Sequence, residues 1–193
     1  MPSIADQWQT SFWQTLRQHE SAERLKEAAL QSRLGEWTQA LTAVVVATCE
    51  AMGWHASAKG HPLDLLPIAH GEYLGLDAIA FATGQTRWRF PVAVIELENS
   101  RDDNRIAYSL WKVLCVRADL RIVFCYRRSA EQASALIRFL CDEVMKAMSL
   151  ETRMSLEGET LVVIGSRDES ATFPYSFFTW WQFETNTGIF RRV

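Results

Sequence analysis

The sequence predicts an α/β (α+β) fold, a mixed central sheet flanked by helices. Three observations carry that expectation. The N-terminal quarter repeats apolar residues at helical spacing, three runs of strand-type residues follow, and a helix then separates them from a further β-branched, aromatic run. A β-meander followed by a crossover helix and another strand implies a mixed sheet.

In residues 4–33, Ile4, Trp8, Phe12 and Leu16, then Ala22, Leu25 and Ala29, mark one or two helices. Gly35 reads as a break. Residues 36–52 form the next helix, with Trp37, Leu41, Val44, Val45 and Met52 on its apolar side and Gly53 as its stop signal. Residues 54–58 read as a short strand, and Pro62 and Pro67 mark the loop after it. Strands are expected at 74–81 and 87–98 around a turn at 83–86, with the hairpin centred near Thr86 and Arg87. Residues 100–116 form a helix in which Ser100 and Asp103 are spaced as a capping box. A strand at 120–126, a helix at 131–148 and strands at 160–165 and 173–183 complete the order. The expected organisation is one domain, 1–193: a helical arm (1–34), a core (36–128) and a C-terminal helix and strand extension (129–193).

The chain has 193 residues, 48% of them apolar and 22% charged, so it has the material for a buried core. Its net charge of -3 excludes a uniformly basic nucleic-acid coat but not a local basic patch. Residues 101–128 hold seven Arg or Lys against three Asp. No apolar run approaches the roughly 20 residues that span a bilayer, and the N-terminus lacks a signal-peptide pattern, so a cytoplasmic protein without a membrane is expected. Cys49, Cys115, Cys125 and Cys141 lie in apolar surroundings without metal-ligand spacing and read as buried free thiols.

The informative residues are acidic. In Val94-Ile-Glu96-Leu-Glu98 the two glutamates share a strand face. With the hairpin centred as above, Asp77 falls opposite Glu96, where Cβ atoms stand roughly 5 Å apart. Three clustered carboxylates need a cation or a shared proton. An all-oxygen set suits Mg²⁺ or Mn²⁺, which can hold a phosphate and activate water. The plain alternative is a solvated strand end whose acids pair with Arg87 or Arg89. On the following helix Arg105, Tyr108, Ser109 and Lys112 share one face, opposite Ile106, Leu110, Val113 and Leu114. Lys112 is placed to orient a water or meet developing phosphate charge.

This order of elements and acids resembles the PD-(D/E)xK nuclease superfamily, the restriction endonuclease-like fold with its α-β-β-β-α-β core. The resemblance covers about 36–128. Asp77 matches the family's first acid, Glu96 the second, and Glu98 stands where the motif lysine usually does. Leu76 replaces the motif proline. Some family members use a glutamate at the lysine position, and in others the lysine has moved to the next helix, where Lys112 lies.

The resemblance implies a metal-dependent nuclease using Mg²⁺ (or Mn²⁺), with Asp77, Glu96, Glu98 and Lys112 as catalytic residues. Asp77, Glu96 and Glu98 would be metal ligands, with Glu50, Glu36 or Gln39 as the added helix-one residue. Arg101, Arg105, Arg127 and Arg128 would meet nucleic acid, DNA before RNA. A homodimer stays open. The alternative is a catalytically inactive module of the same fold that binds nucleic acid or a protein. A carboxylate-pair glycosidase is a third reading, without a sugar-cleft signature.

His19, His55, His61 and His70 show no metal-ligand spacing, Ser109 lacks a triad, and phosphate-binding glycine loops are absent. The aromatic run 173–183 reads either as core and dimer contacts or as a base-stacking surface. The arm's Trp8, Phe12 and Trp13 read as packing, with a partner subunit one candidate. Arg191 and Arg192 are further candidate phosphate contacts.

Overall fold

The computed structural model describes residues 2–31, 33–68, 72–84 and 87–193. Three helices precede the first strand: α1 (Ile4–Leu16), α2 (His19–Leu30) and α3 (Leu34–Ala51). Ser3 and Asp6 close a reciprocal capping box at the start of α1. Gly35 does not break the chain; it lies in the first turn of α3. A helical glycine costs only about 1 kcal/mol, and the eight buried side chains of α3 outweigh it. Gly53, at φ +75°, ends that helix region as expected.

Seven strands follow: β1 (Trp54–Ala58), β2 (Ala78–Ala82), β3 (Ala93–Leu97), β4 (Leu120–Arg127), β5 (Glu159–Ser166), β6 (Phe178–Glu184) and β7 (Ile189–Arg192). They form one sheet in sequence order. β1, β2 and β3 run antiparallel, the β3–β4 and β4–β5 pairs are parallel, and β5, β6 and β7 are antiparallel again. Parallel neighbours need crossovers, supplied by α4 (Asp103–Leu114) and α5 (Ala130–Glu143), with the short α6 (Leu150–Met154) before β5.

Strand alternation sorts the core into two layers. Ala78, Ala80, Ala93, Ile95, Ile122, Phe124 and Val163 face the α1–α3 side. Ile79, Phe81, Val94, Val123, Cys125 and Val162 face α4 and α5. Burial on both sides is why β4 reads as a nearly continuous apolar run. Among the described residues no helix is long and apolar enough to cross a membrane.

Several boundaries differ from expectation. β3 starts at Ala93 rather than 87, because Pro91 has no N–H to donate to a ladder. β2 starts at Ala78, after a 3₁₀ turn at Tyr73–Gly75. Asp102, not Ser100, caps α4: its carboxylate accepts from Asn104 N, while Ser100 Oγ accepts from Asp102 N. The 173–183 run becomes strand only at Phe178, and β7 and α6 were not anticipated. Cys49, Cys125 and Cys141 are buried free thiols, but Cys115, just past α4, is exposed. The turn centre at Thr86 and the loop residue His70 lie outside the described residues.

The N-terminal arm belongs to the chain's own core. Trp8 and Phe12 are fully buried, and Phe12 lies 5.5 Å from Phe124, 5.4 Å from Trp180 and 5.6 Å from Phe178 between ring centroids. No partner subunit is needed to cover them. Phe12→Ala is therefore expected to lower unfolding free energy by about 3–5 kcal/mol in urea titrations. A loss below about 1 kcal/mol, accompanied by a changed oligomeric state, would instead place the arm on a partner.

Candidate active site

The ladder between β2 and β3 builds the site. Its register pairs Ala78 with Ile95 and Ile79 with Val94, so one step outward Asp77 stands opposite Glu96. Ala78 and Ile95 face the α1–α3 layer; alternation therefore turns Asp77 and Glu96 toward α4. Glu98 N still bonds Phe124 O at 2.9 Å, carrying the pairing one residue past the strand. Glu96 is buried, while Asp77 and Glu98 are half-buried, so the acids step from the interior toward solvent.

Each carboxylate has a partner. Lys112, from α4, places Nζ 2.7 Å from Glu96 Oε1 and donates to Gly75 O at 2.9 Å. Asp77 Oδ2 accepts from Leu97 N at 2.7 Å. Glu98 Oε1 accepts from Ser100 N at 2.7 Å, which holds the loop after β3. The backbone before Asp77 is left-handed at both Leu74 (φ 58°) and Gly75 (φ 64°). Leu74 is 69% exposed, so burial does not reward its conformation, which costs roughly 1–2 kcal/mol. The turn brings Gly75 O to Lys112 and delivers the chain to Asp77.

Burial pushes the Glu96 carboxyl up to about 7, and the Asp77 charge opposite adds to it, against the lowering pull of Lys112. Burial likewise raises Asp77; the Leu97 N–H and Lys112 offset part of this, while Glu72 and Glu98 add to it. One ammonium thus serves a group of acids whose charge it does not match. An all-oxygen set with surplus negative charge is chemically suited to a hard divalent cation. Among the described residues no three His, Cys, Asp or Glu side chains form a ready metal cage. The facing pair is Asp77 and Glu96, with Glu98 engaged on its own loop.

The other predicted residues divide. Glu50 does not join the site. Thr38 of α3 meets Asn99, next to Glu98, whereas Glu50 is twelve residues farther along the helix, about 18 Å at 1.5 Å per residue. Glu36 and Gln39 lie at the nearer end, but α3 packs on the sheet face opposite to Asp77 and Glu96, and Glu36 is held by Arg33 at 2.8 Å. The cation on Glu96 is Lys112; Arg87 and Arg89 sit in the connection at the other end of β2 and β3. Arg101, Arg105 and Arg128 are exposed near the carboxyl ends of β3 and β4. Arg127 is held by Asp103 and donates to Tyr126 O, so its side chain is already engaged. Ser109 is buried with the apolar side of α4, while Leu114 is only partly buried.

Among the remaining candidates, His55 is exposed on β1, and His61 bridges through its backbone to Ala58. The aromatics Phe173, Phe177, Phe178, Trp180 and Phe183 are core and Trp181 is partly buried, which leaves Tyr175 as the exposed ring of that run. Arg191 pairs with Glu184 at 3.2 Å.

Three features escaped the sequence reading: Glu72, the Gly75 carbonyl, and an exposed aromatic pair on α4. Tyr108 and Trp111 stack with centroids 5.8 Å apart and planes 26° from parallel, beside Lys112. The three-residue aromatic spacing on the polar side of α4 was the available signal. Comparison of the chain with family models, curated proteins and solved structures returned no match.

The raised carboxyl sets a pH signature. Folded Glu96 binds its proton up to about pH 7, whereas its ordinary value is 4.5. Its contribution to stability is full below 4.5 and is lost as pH rises to about 7, with a slope of up to about 1.4 kcal/mol per pH unit. In metal-free buffer, the urea midpoint of the wild type should fall across this window more steeply than that of Glu96→Gln. Parallel profiles for the two proteins would contradict the assignment.

Proposed function

We propose that this chain is a metal-dependent nuclease of the restriction endonuclease-like fold, hydrolysing phosphodiester bonds of nucleic acid, with DNA the first substrate to test. The observation carrying the reading is the Asp77–Glu96 pair with Lys112 Nζ 2.7 Å from Glu96. The run α3–β1–β2–β3–α4–β4, with two antiparallel steps and then a parallel crossover, supports the fold side of it.

Asp77 and Glu96 would hold Mg²⁺ or Mn²⁺, with Glu98 as a third oxygen or as the group that orients the attacking water. A divalent ion there supplies positive charge for the phosphate and lowers the pKa of that water. Lys112 would shift its ammonium from Glu96 toward a phosphate oxygen, where developing negative charge strengthens the contact. Arg105, on α4, would meet the backbone, whereas Arg101 lines the cleft on the other face of the sheet. Tyr108 and Trp111, on the same side of α4 as Lys112, offer ring faces to unpaired bases.

A second reading is a catalytically inactive module of the same fold that binds nucleic acid or a protein. It is favoured by Lys112 already neutralising Glu96 and by Glu98 being engaged with Ser100 N. Purified protein with Mg²⁺ or Mn²⁺ and a panel of DNA and RNA separates the two. Under the nuclease reading, Asp77→Asn and Glu96→Gln each reduce cleavage by at least about 100-fold, and Lys112→Ala by a similar factor. Cleavage unchanged in these variants refutes the roles. Absence of both cleavage and millimolar Mg²⁺ binding by calorimetry selects the binding module.

A further inference from the structure

On the other face of the sheet, at the same end as the carboxylates, lies a cleft of about 390 Å³. Its residues come from one place in the fold. Asn99 and Arg101 follow β3, Tyr126 lies near the end of β4, Arg167 follows β5 and Phe177 precedes β6. This is the edge formed by the carboxyl ends of the parallel strands, where open α/β sheets take ligands. The volume falls within the roughly 300–1,000 Å³ of small-molecule sites.

The floor is a buried aromatic cluster. Trp37 Nε1 donates to Tyr126 OH at 2.7 Å, and Trp37 lies 5.3 Å from Phe177 between centroids. These rings are at most 6% exposed, so they close the floor, and the apolar surface open to a ligand comes from Leu30 and Leu34. The wall is cationic. Among the described residues, neither the Arg101 nor the Arg167 guanidinium has an ion pair or a hydrogen bond. The neighbouring Glu169 accepts from Thr172 instead. Two unpaired guanidiniums around one cavity present planar forks that match a phosphate.

The loop between β3 and α4 joins this cleft to the carboxylate site. Thr38 Oγ1 donates to Leu34 O at 2.9 Å, so it can only accept from Asn99 Nδ2, 2.7 Å away. That bond fixes the Asn99 side chain and ties the loop to α3. Glu98, one residue earlier, faces the carboxylate side, and Arg101, two residues later, reaches the cleft.

We propose that the cleft binds a nucleoside 5′-monophosphate group, free or at the end of a strand. Its phosphate sits between Arg101 and Arg167 and its base lies against the exposed Leu30 and Leu34 side chains. The choice of a nucleotide over another anion with an apolar part rests on the nuclease reading; the cleft's cationic, apolar character does not.

Calorimetry on the full chain in EDTA tests it, with dAMP, deoxyadenosine, inorganic phosphate, and an oligonucleotide with and without a 5′-phosphate. dAMP should bind at least tenfold more tightly than deoxyadenosine or inorganic phosphate. A matching gain for the 5′-phosphorylated oligonucleotide assigns the cleft to strand ends, and its absence assigns it to free nucleotide. Arg101→Ala and Arg167→Ala should each weaken dAMP at least tenfold, and the charge-preserving Arg167→Lys severalfold. Arg138→Ala, on α5 across the sheet, should not. Thermal melts confirm that the variants are folded.

dAMP no tighter than phosphate, or folded Arg167 variants that bind like wild type, overturns the proposal. The two readings fail separately. Tight dAMP binding alongside cleavage that is insensitive to Asp77→Asn overturns the nuclease roles and leaves the cleft. Cleavage that depends on Asp77 without preferential dAMP binding overturns the cleft alone.

Discussion

Across the β2–β3 ladder the Asp77 and Glu96 carboxylates stand opposite each other, and the register that pairs Ala78 with Ile95 gives them no other place. Like charges directly opposed destabilise a sheet, and Glu96 is only 4% exposed. Lys112 compensates in part, but its ammonium is shared with the Gly75 carbonyl. A buried ion pair of this kind seldom stabilises a fold on balance, and a well-packed apolar pair of the same volume often does better. The arrangement therefore calls for a reason beyond stability. Under the proposed reading that reason is a cation, for which surplus negative charge is an advantage.

The architecture concentrates polar chemistry at one sheet end. β3, β4 and β5 run in parallel, so their carboxyl ends lie side by side. The loop after β3 supplies Glu98 to one face and Asn99 and Arg101 to the other, while Arg167 follows β5. The central strands of the sheet are packed on both faces, by α1–α3 on one and by α4 and α5 on the other. Rigid apolar layers of this sort hold a few polar groups in place, and Lys112 depends on α4 being pinned through Ile106, Leu110 and Val113.

Much of this was legible in the residues. The Val94–Glu98 alternation, with the hairpin centre near residue 86, was enough to put Asp77 opposite Glu96, and the four-residue steps of α4 placed Lys112 on the side that reaches them. What stayed hidden depended on tertiary context. Pro91 ended the apparent 87–98 strand by withholding a donor. Asp102 competed successfully with Ser100 for the cap. Glu98 found a backbone N–H within its own loop, a local bond that strand alternation does not reveal. Glu50 shares a helix with Glu36 but lies toward its other end, a distinction that needs the direction of α3 relative to β3. The cleft between Arg101 and Arg167 joins residues 66 positions apart and has no sequence signature.

The central claim, that Asp77 and Glu96 together make a divalent-cation site, is tested most directly by a crystal structure of the protein soaked in Mn²⁺ with data collected at the manganese edge. The account predicts an anomalous peak within coordination distance of oxygens from both residues, with Lys112 Nζ moved off Glu96 Oε1. A map without a peak there at millimolar Mn²⁺, with the Lys112–Glu96 pair undisturbed, would contradict it.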